Sequence, residues 1–228
     1  MRLPLRLSAL AALLVLAGCD TFGPKKPPEP PPAKPVVALA LGGGAAKGFA
    51  HIGVIKALEA QGIVPDIIVG TSAGSVVGAM YASGKSGFEL QQLAITLDEA
   101  QVSDWSLPDR GVLKGDALAG FINKAVNNVT IEKLPKKFGA VATDLATGDP
   151  IVFRSGDTGT AVRASSSVPG LFQPVSIRGR EYVDGGLVSP VPVRFAREMG
   201  ADFVIAVDIS NKPQFGKTKS SLDVLLQT

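Results

Sequence analysis

The chain has 228 residues, 46% of them hydrophobic and 19% charged, so it holds enough apolar side chain for one sizeable core and is not disordered throughout. Its net charge of +3 is mild and its lysines and arginines are interspersed with acids, which excludes the concentrated basic face of a nucleic-acid binder. With a single cysteine it builds neither an internal disulfide nor a cysteine zinc cluster, and no residue spacing calls for a metal or cofactor.

In chain order, Arg2 and Arg6 flank the start of an apolar stretch, Leu7 to Ala17, that ends in small residues, the pattern of an export signal over residues 1–18. It is shorter than the roughly 20 apolar residues of a spanning helix. Leu16-Ala17-Gly18-Cys19 resembles the lipobox of bacterial lipoproteins, which implies acylation of Cys19 and a membrane anchor there. Asp20 resembles the inner-membrane retention signal of enteric-type lipoproteins. It points to the bacterial cell envelope, on the periplasmic face of the inner membrane. Seven prolines between Pro24 and Pro35, mixed with lysines, suit neither a helix nor a central strand, so residues 19–35 are expected to form a stiff tether. A ligand for a peptide-recognition domain is the other use of such a stretch.

Residues 36–228 alternate strand-like and helix-like patterns. Val36 to Leu41 is an apolar strand; after a glycine loop, Phe49, Ile52, Ile55 and Leu58 recur at helical spacing up to Gly62. Pro65 precedes a strand at Ile67 to Val69, and a helix follows at Ser75 to Tyr81. Further helices are expected at Phe88 to Leu97, Asp116 to Asn127, Asp157 to Ser165 and Pro192 to Met199. Further strands are expected at Phe138 to Thr143, Ile151 to Phe153 and Phe203 to Val207, apolar enough for burial on both faces. The alternation predicts an α/β domain with a mainly parallel sheet covered by helices. Ser221 to Gln227 has the pattern of a helix just begun, so a longer parent protein is expected.

The chemistry concentrates in two glycine-rich segments. Gly70-Thr71-Ser72-Ala73-Gly74 is a G-x-S-x-G sequence between a strand and a helix, the setting of a nucleophile elbow. Gly42, Gly43 and Gly44, followed by Lys47 and Gly48, leave the first strand in a loop whose amides can converge on an anion. Gly43, Gly44 and Ala73 are the expected donors to an oxyanion. A serine that only caps a helix is the plainer reading of Ser72. The one histidine, His51, lies upstream on an apolar helix, whereas hydrolases with this elbow place histidine last, so a structural role suits it better. The base is then a carboxylate. Asp184, in Tyr182-Val183-Asp184-Gly185-Gly186, sits at a glycine-flanked turn after a short strand; a turn aspartate bonding its own backbone is the alternative. A carboxylate with the ordinary aspartate pKa of about 3.9 is a poor base, so the site has to be dry enough to raise it.

The glycine loop, the elbow and Asp184-Gly185-Gly186, in that order, resemble the patatin-like phospholipase family over most of Val36 to Ser210. The stretches Ala142 to Gly148 and Ala164 to Pro174 are similar to it too. The resemblance implies a three-layer α/β/α sandwich, a Ser72–Asp184 dyad without histidine or cofactor, and a phospholipid or other acyl-ester substrate. Ala45 departs from the pattern, standing where a third glycine is usual, and Ser167 replaces a usual alanine. Lys47 matches a basic family position that supports the loop or favours an anionic substrate; an exposed helix lysine is its plainer reading. A nucleotide site competes for the glycine loop, but Gly48 is not followed by Lys and Ser or Thr, and Asp66 precedes the second strand instead of ending it. A catalytically inactive lipid-binding or scaffolding lipoprotein of the same fold is the other alternative, against which the intact Ser72 and Asp184 argue.

Overall fold

Alternate residues of the first two strands enter different layers. In β1 (Val37–Leu41), Leu39 and Leu41 join one apolar cluster and Ala38 and Ala40 another; in β2 (Ile67–Thr71), Ile68 joins the first and Ile67 and Val69 the second. The computed structural model describes residues 33–98, 102, 104 and 110–210. The expected export signal, Cys19, Asp20, the tether as far as Pro32 and the run from Ser221 lie outside the described residues.

Helices α1 (Phe49–Ala60), α2 (Ala73–Ala82), α3 (Gly87–Thr96), α4 (Asp116–Ala125) and α5 (Thr158–Ser165) cover the first face through Ile55, Met80, Leu90, Ile122 and Val162. On the second face, α6 (Val193–Glu198) packs Phe195 and Ala196 against the alanines of β1. A sheet between two helical layers is the α/β/α arrangement expected from the sequence.

Strands β4 (Lys137–Asp144), β2, β1 and β9 (Phe203–Val207) run parallel as neighbours in that order. The margin is antiparallel: β5 (Pro150–Phe153) and β8 (Arg180–Asp184) pair with β4, and β7 (Val175–Ile177) pairs with β8. Two short strands, β3 (Gly111–Leu113) and β6 (Gly170–Phe172), form a separate pair. Burial on both faces holds for β1, β2 and nearly all of β4. It does not hold for β5, which is half-buried along its length, or for β9, where Phe203 is 61% exposed. Among the described residues each has a single neighbour in the sheet, so apolar composition overstates its burial.

The pairing of β4 positions the site. Ala140 and Val141 pair with β2 and also with β5, so those two strands lie on opposite edges of β4. Ala142 and Thr143 pair with both β5 and β8, so β8 shares its edge with β2. Running in opposite directions along one edge, β2 and β8 meet end to end, Thr71 opposite Val141 and Asp184 opposite Ala142. The residue after Thr71 is Ser72.

Candidate active site

Ser72 occupies the turn from β2 into α2 with φ 52° and ψ −124°, a left-handed backbone that side chains rarely adopt. It stands at the N-cap of α2, yet its side chain caps nothing. Helix capping is therefore not the use of this serine. The flanking glycines are demanded by contact: a Cβ at Gly70 would come within 2.3 Å of the Gly74 carbonyl oxygen, and one at Gly74 within 2.1 Å of the Leu41 carbonyl oxygen. Only glycine lets the strand, turn and helix close this tightly.

Asp184 ends β8 and is 5% exposed. Its carboxylate Oδ1 accepts the Gly186 N–H at 2.6 Å. Oδ2 is buried and has no hydrogen-bond partner among the described residues. Burial pushes the carboxyl up from 3.8 to about 6, against smaller opposing effects of the nearby Ser72 hydroxyl and the Gly186 amide. The Ser72 hydroxyl is thus near enough to favour the ionised form without closing a bond of normal length to Oδ2. The main chain of Asp184 is held as well, its N–H donating to the Ser167 carbonyl at 2.9 Å and its carbonyl accepting the Thr143 hydroxyl at 2.7 Å. Gly185 lies so close to β4 that a Cβ there would come within 2.2 Å of the Val141 carbonyl oxygen.

The glycine loop lies over the elbow. A Cβ on Gly43 would sit 3.4 Å from the Ser72 Cβ, and one on Gly48 would sit 2.9 Å from the Ala73 Cβ. The loop's amides are not equivalent. Gly42 donates to the Val207 carbonyl at 3.0 Å and Gly43 to the Pro190 carbonyl at 2.9 Å. Gly43, an expected oxyanion donor, therefore has its N–H committed to the protein. The amides of Gly44 and Ala73 have no acceptor among the described residues. Ala45, at the position where a third glycine is usual, takes φ 48° despite its side chain. Lys47 donates to the Ile209 carbonyl at 3.1 Å and so ties the loop to the segment just after β9.

His51 is fully buried, and its Nε2–H donates to the Gly42 carbonyl at 2.8 Å. Burial lowers its pKa, keeping the ring neutral. It holds the glycine loop from beneath. Sequence reasoning assigns no role to Ser165, although it lies in the family-like stretch Ala164 to Pro174; its hydroxyl accepts the Ser72 N–H at 2.9 Å. Only the position of α5 against the elbow reveals that contact. Beside the loop, α1 and α3 enclose an apolar groove of about 440 Å³ lined by Phe49, Ile52, Lys56, Gln91, Ala94 and Ile95. Phe49, directly after Gly48, is 55% exposed and Ile95 69%. Among the described residues no group of three or more His, Cys, Asp or Glu side chains could hold a metal ion, and no helix is long and apolar enough to cross a membrane.

A sheet with a serine on a strained strand-to-helix turn, and a buried carboxyl brought up to it by an antiparallel margin, defines an α/β fold of the nucleophile-elbow kind. The sequence profile of the patatin-like phospholipase family matches residues 39–197, and the chain belongs to that family. An uncharacterized NTE family protein of Mycobacterium tuberculosis is 38% identical over 181 residues, 78% of this chain and 50% of that protein. Human patatin-like phospholipase domain-containing protein 6 is 34% identical over 186 residues, 78% of this chain but 14% of that protein. The chain thus spans half the length of its mycobacterial relative and a small part of the human one. The crystal structure of VipD from Legionella pneumophila shares the fold, with a TM-score of 0.55 and 17% identity over 68% of this chain and 46% of that one.

Proposed function

We propose that this protein is a serine acyl hydrolase for phospholipids, lysolipids or related acyl esters, with Ser72 as nucleophile and Asp184 as its base. One observation carries the reading: a buried, unpartnered carboxylate oxygen beside a hydroxyl presented on a strained turn. The ionised Asp184 takes the Ser72 proton as Oγ attacks the ester carbonyl, and the carbonyl oxygen becomes the oxyanion of a tetrahedral intermediate. The free amides of Gly44 and Ala73 receive it. Asp184 then returns the proton to the departing alcohol, and water, deprotonated by the same carboxylate, releases the acyl group from Ser72. The groove between α1 and α3 offers apolar surface for an acyl chain, with Phe49 next to the glycine loop.

Membership of the family supports a lipid substrate, and the lipobox-like Cys19 supports attachment to a bacterial membrane, with Asp20 favouring the inner one. Purified protein is expected to react with a fluorophosphonate probe and to turn over nitrophenyl esters, while Ser72→Ala and Asp184→Asn do neither above background. Because the base works ionised, kcat/KM rises with pH through about 6 and levels above it. Turnover that survives Ser72→Ala would reject the mechanism. Globomycin-sensitive processing at Cys19 tests the anchor separately.

A further inference from the structure

End-to-end strands leave a gap that the sheet itself does not measure. Because β2 and β8 share one edge of β4, no ladder of hydrogen bonds joins them, and their pairing with β4 constrains Ser72 and Asp184 only through a third chain segment. The last turn of α5 and the residues after it reach both sides of this gap. The Ser165 hydroxyl, fully buried, accepts the Ser72 N–H at 2.9 Å and donates to the Val141 carbonyl at 2.6 Å. Val141 is the β4 residue opposite Thr71 and adjoins Ala142, which stands opposite Asp184. The Ser167 carbonyl accepts the Asp184 N–H at 2.9 Å, while the buried Ser167 hydroxyl donates back to the Arg163 carbonyl of α5 at 2.8 Å.

We propose that Ser165 is a positioning residue that, with the Ser167 carbonyl, sets the separation of the Ser72 hydroxyl from the Asp184 carboxylate. The Ser165 hydroxyl has one hydrogen to give and gives it to β4, so the lone pair aimed at the elbow is fixed in direction. Without it the Ser72 amide loses its acceptor, and a turn already held at φ 52° is free to relax away from Asp184. A nucleophile displaced by about 1 Å can cost about 10²-fold in rate.

This inference rests on the Ser72–Asp184 reading. A matched control lies on the same helix: the buried Thr158 hydroxyl donates to the Val129 carbonyl at 2.7 Å, away from the elbow. Ser165→Ala, Ser165→Cys and Thr158→Val are assayed on nitrophenyl esters well below their melting temperatures. Ser165→Ala is expected to lower kcat by roughly 10- to 100-fold with KM within about twofold. Ser165→Cys, which keeps a weaker donor and acceptor, falls between Ala and wild type, and carries the test should the alanine variant not fold. The acid limb of kcat/KM moves to higher pH in the same order, because a receding Ser72 hydroxyl no longer favours the ionised Asp184. Thr158→Val leaves kcat and the limb unchanged. Equal losses in Ser165→Ala and Thr158→Val, or an unshifted limb in the Ser165 variants, would overturn the proposal. If instead Ser72→Ala retained turnover, the dyad itself would be wrong, a different and separately visible failure.

Discussion

Two serines stand at the N-caps of neighbouring helices and do opposite things. Ser86 begins α3 in an extended backbone and closes a capping box, its hydroxyl accepting the Glu89 N–H and its own N–H donating to the Glu89 carboxylate. Ser72 begins α2 in a left-handed backbone and caps nothing, its amide going to Ser165. Ser86 satisfies the helix end and relieves it. Ser72 is held in strain with its hydroxyl left over, so local stability is given up at the residue proposed as nucleophile.

The sharpest way to break this contrast is to truncate both hydroxyls. Ser72→Ala is expected to lose more than ~10⁴-fold in kcat while moving stability by about 0.5 kcal/mol or less. Activity assays paired with urea unfolding read both quantities. The elbow's strain is tested next through its glycines. Gly74→Ala, driven into the Leu41 carbonyl, is expected to lose at least about 3 kcal/mol, whereas Gly120→Ala on α4, where a Cβ meets nothing, gains about 0.5–1 kcal/mol. Similar melting temperatures for the two variants would contradict the close packing at the elbow.

Asp184 sharpens the comparison from the carboxylate side. Its folded pKa lies above the unfolded value, so the folded state holds the proton more tightly between pH 3.8 and about 6. Its stabilising contribution is complete below that window and is lost as pH rises through it. Relative to wild type, Asp184→Asn is therefore expected to gain up to about 3 kcal/mol at pH 8 and almost nothing near pH 3. Denaturation curves of both proteins across this range test it, and a difference that does not change with pH would show that the carboxyl is not buried as ionised. The smallest effect belongs to the relieved cap: Ser86→Ala is expected to lose about 1 kcal/mol with unchanged kcat, read from the same two assays.

Much of this is legible in the chain because the signals are local. Glycine spacing around Ser72, the strand before it and the helix after it are short-range consequences of backbone sterics, and the lone His51 on an apolar helix points away from a histidine base. Strands β3, β6 and β7 are not legible, because three residues each carry too little pattern, and the exposed edges β5 and β9 read like buried strands because composition does not say how many neighbours a strand has.

What the sequence by itself determined is the elbow: its glycines, its serine and the direction in which the chain turns there, since these depend on contacts among a few consecutive residues. Only the tertiary structure decided that β8 comes back antiparallel onto the edge of β4 already used by β2, that the Gly43 amide is taken by Pro190 while those of Gly44 and Ala73 find no acceptor among the described residues, and that Ser165 reaches the Ser72 amide. Those outcomes depend on which distant segments win each hydrogen-bonding group, a competition among all parts of the folded chain that no local pattern records.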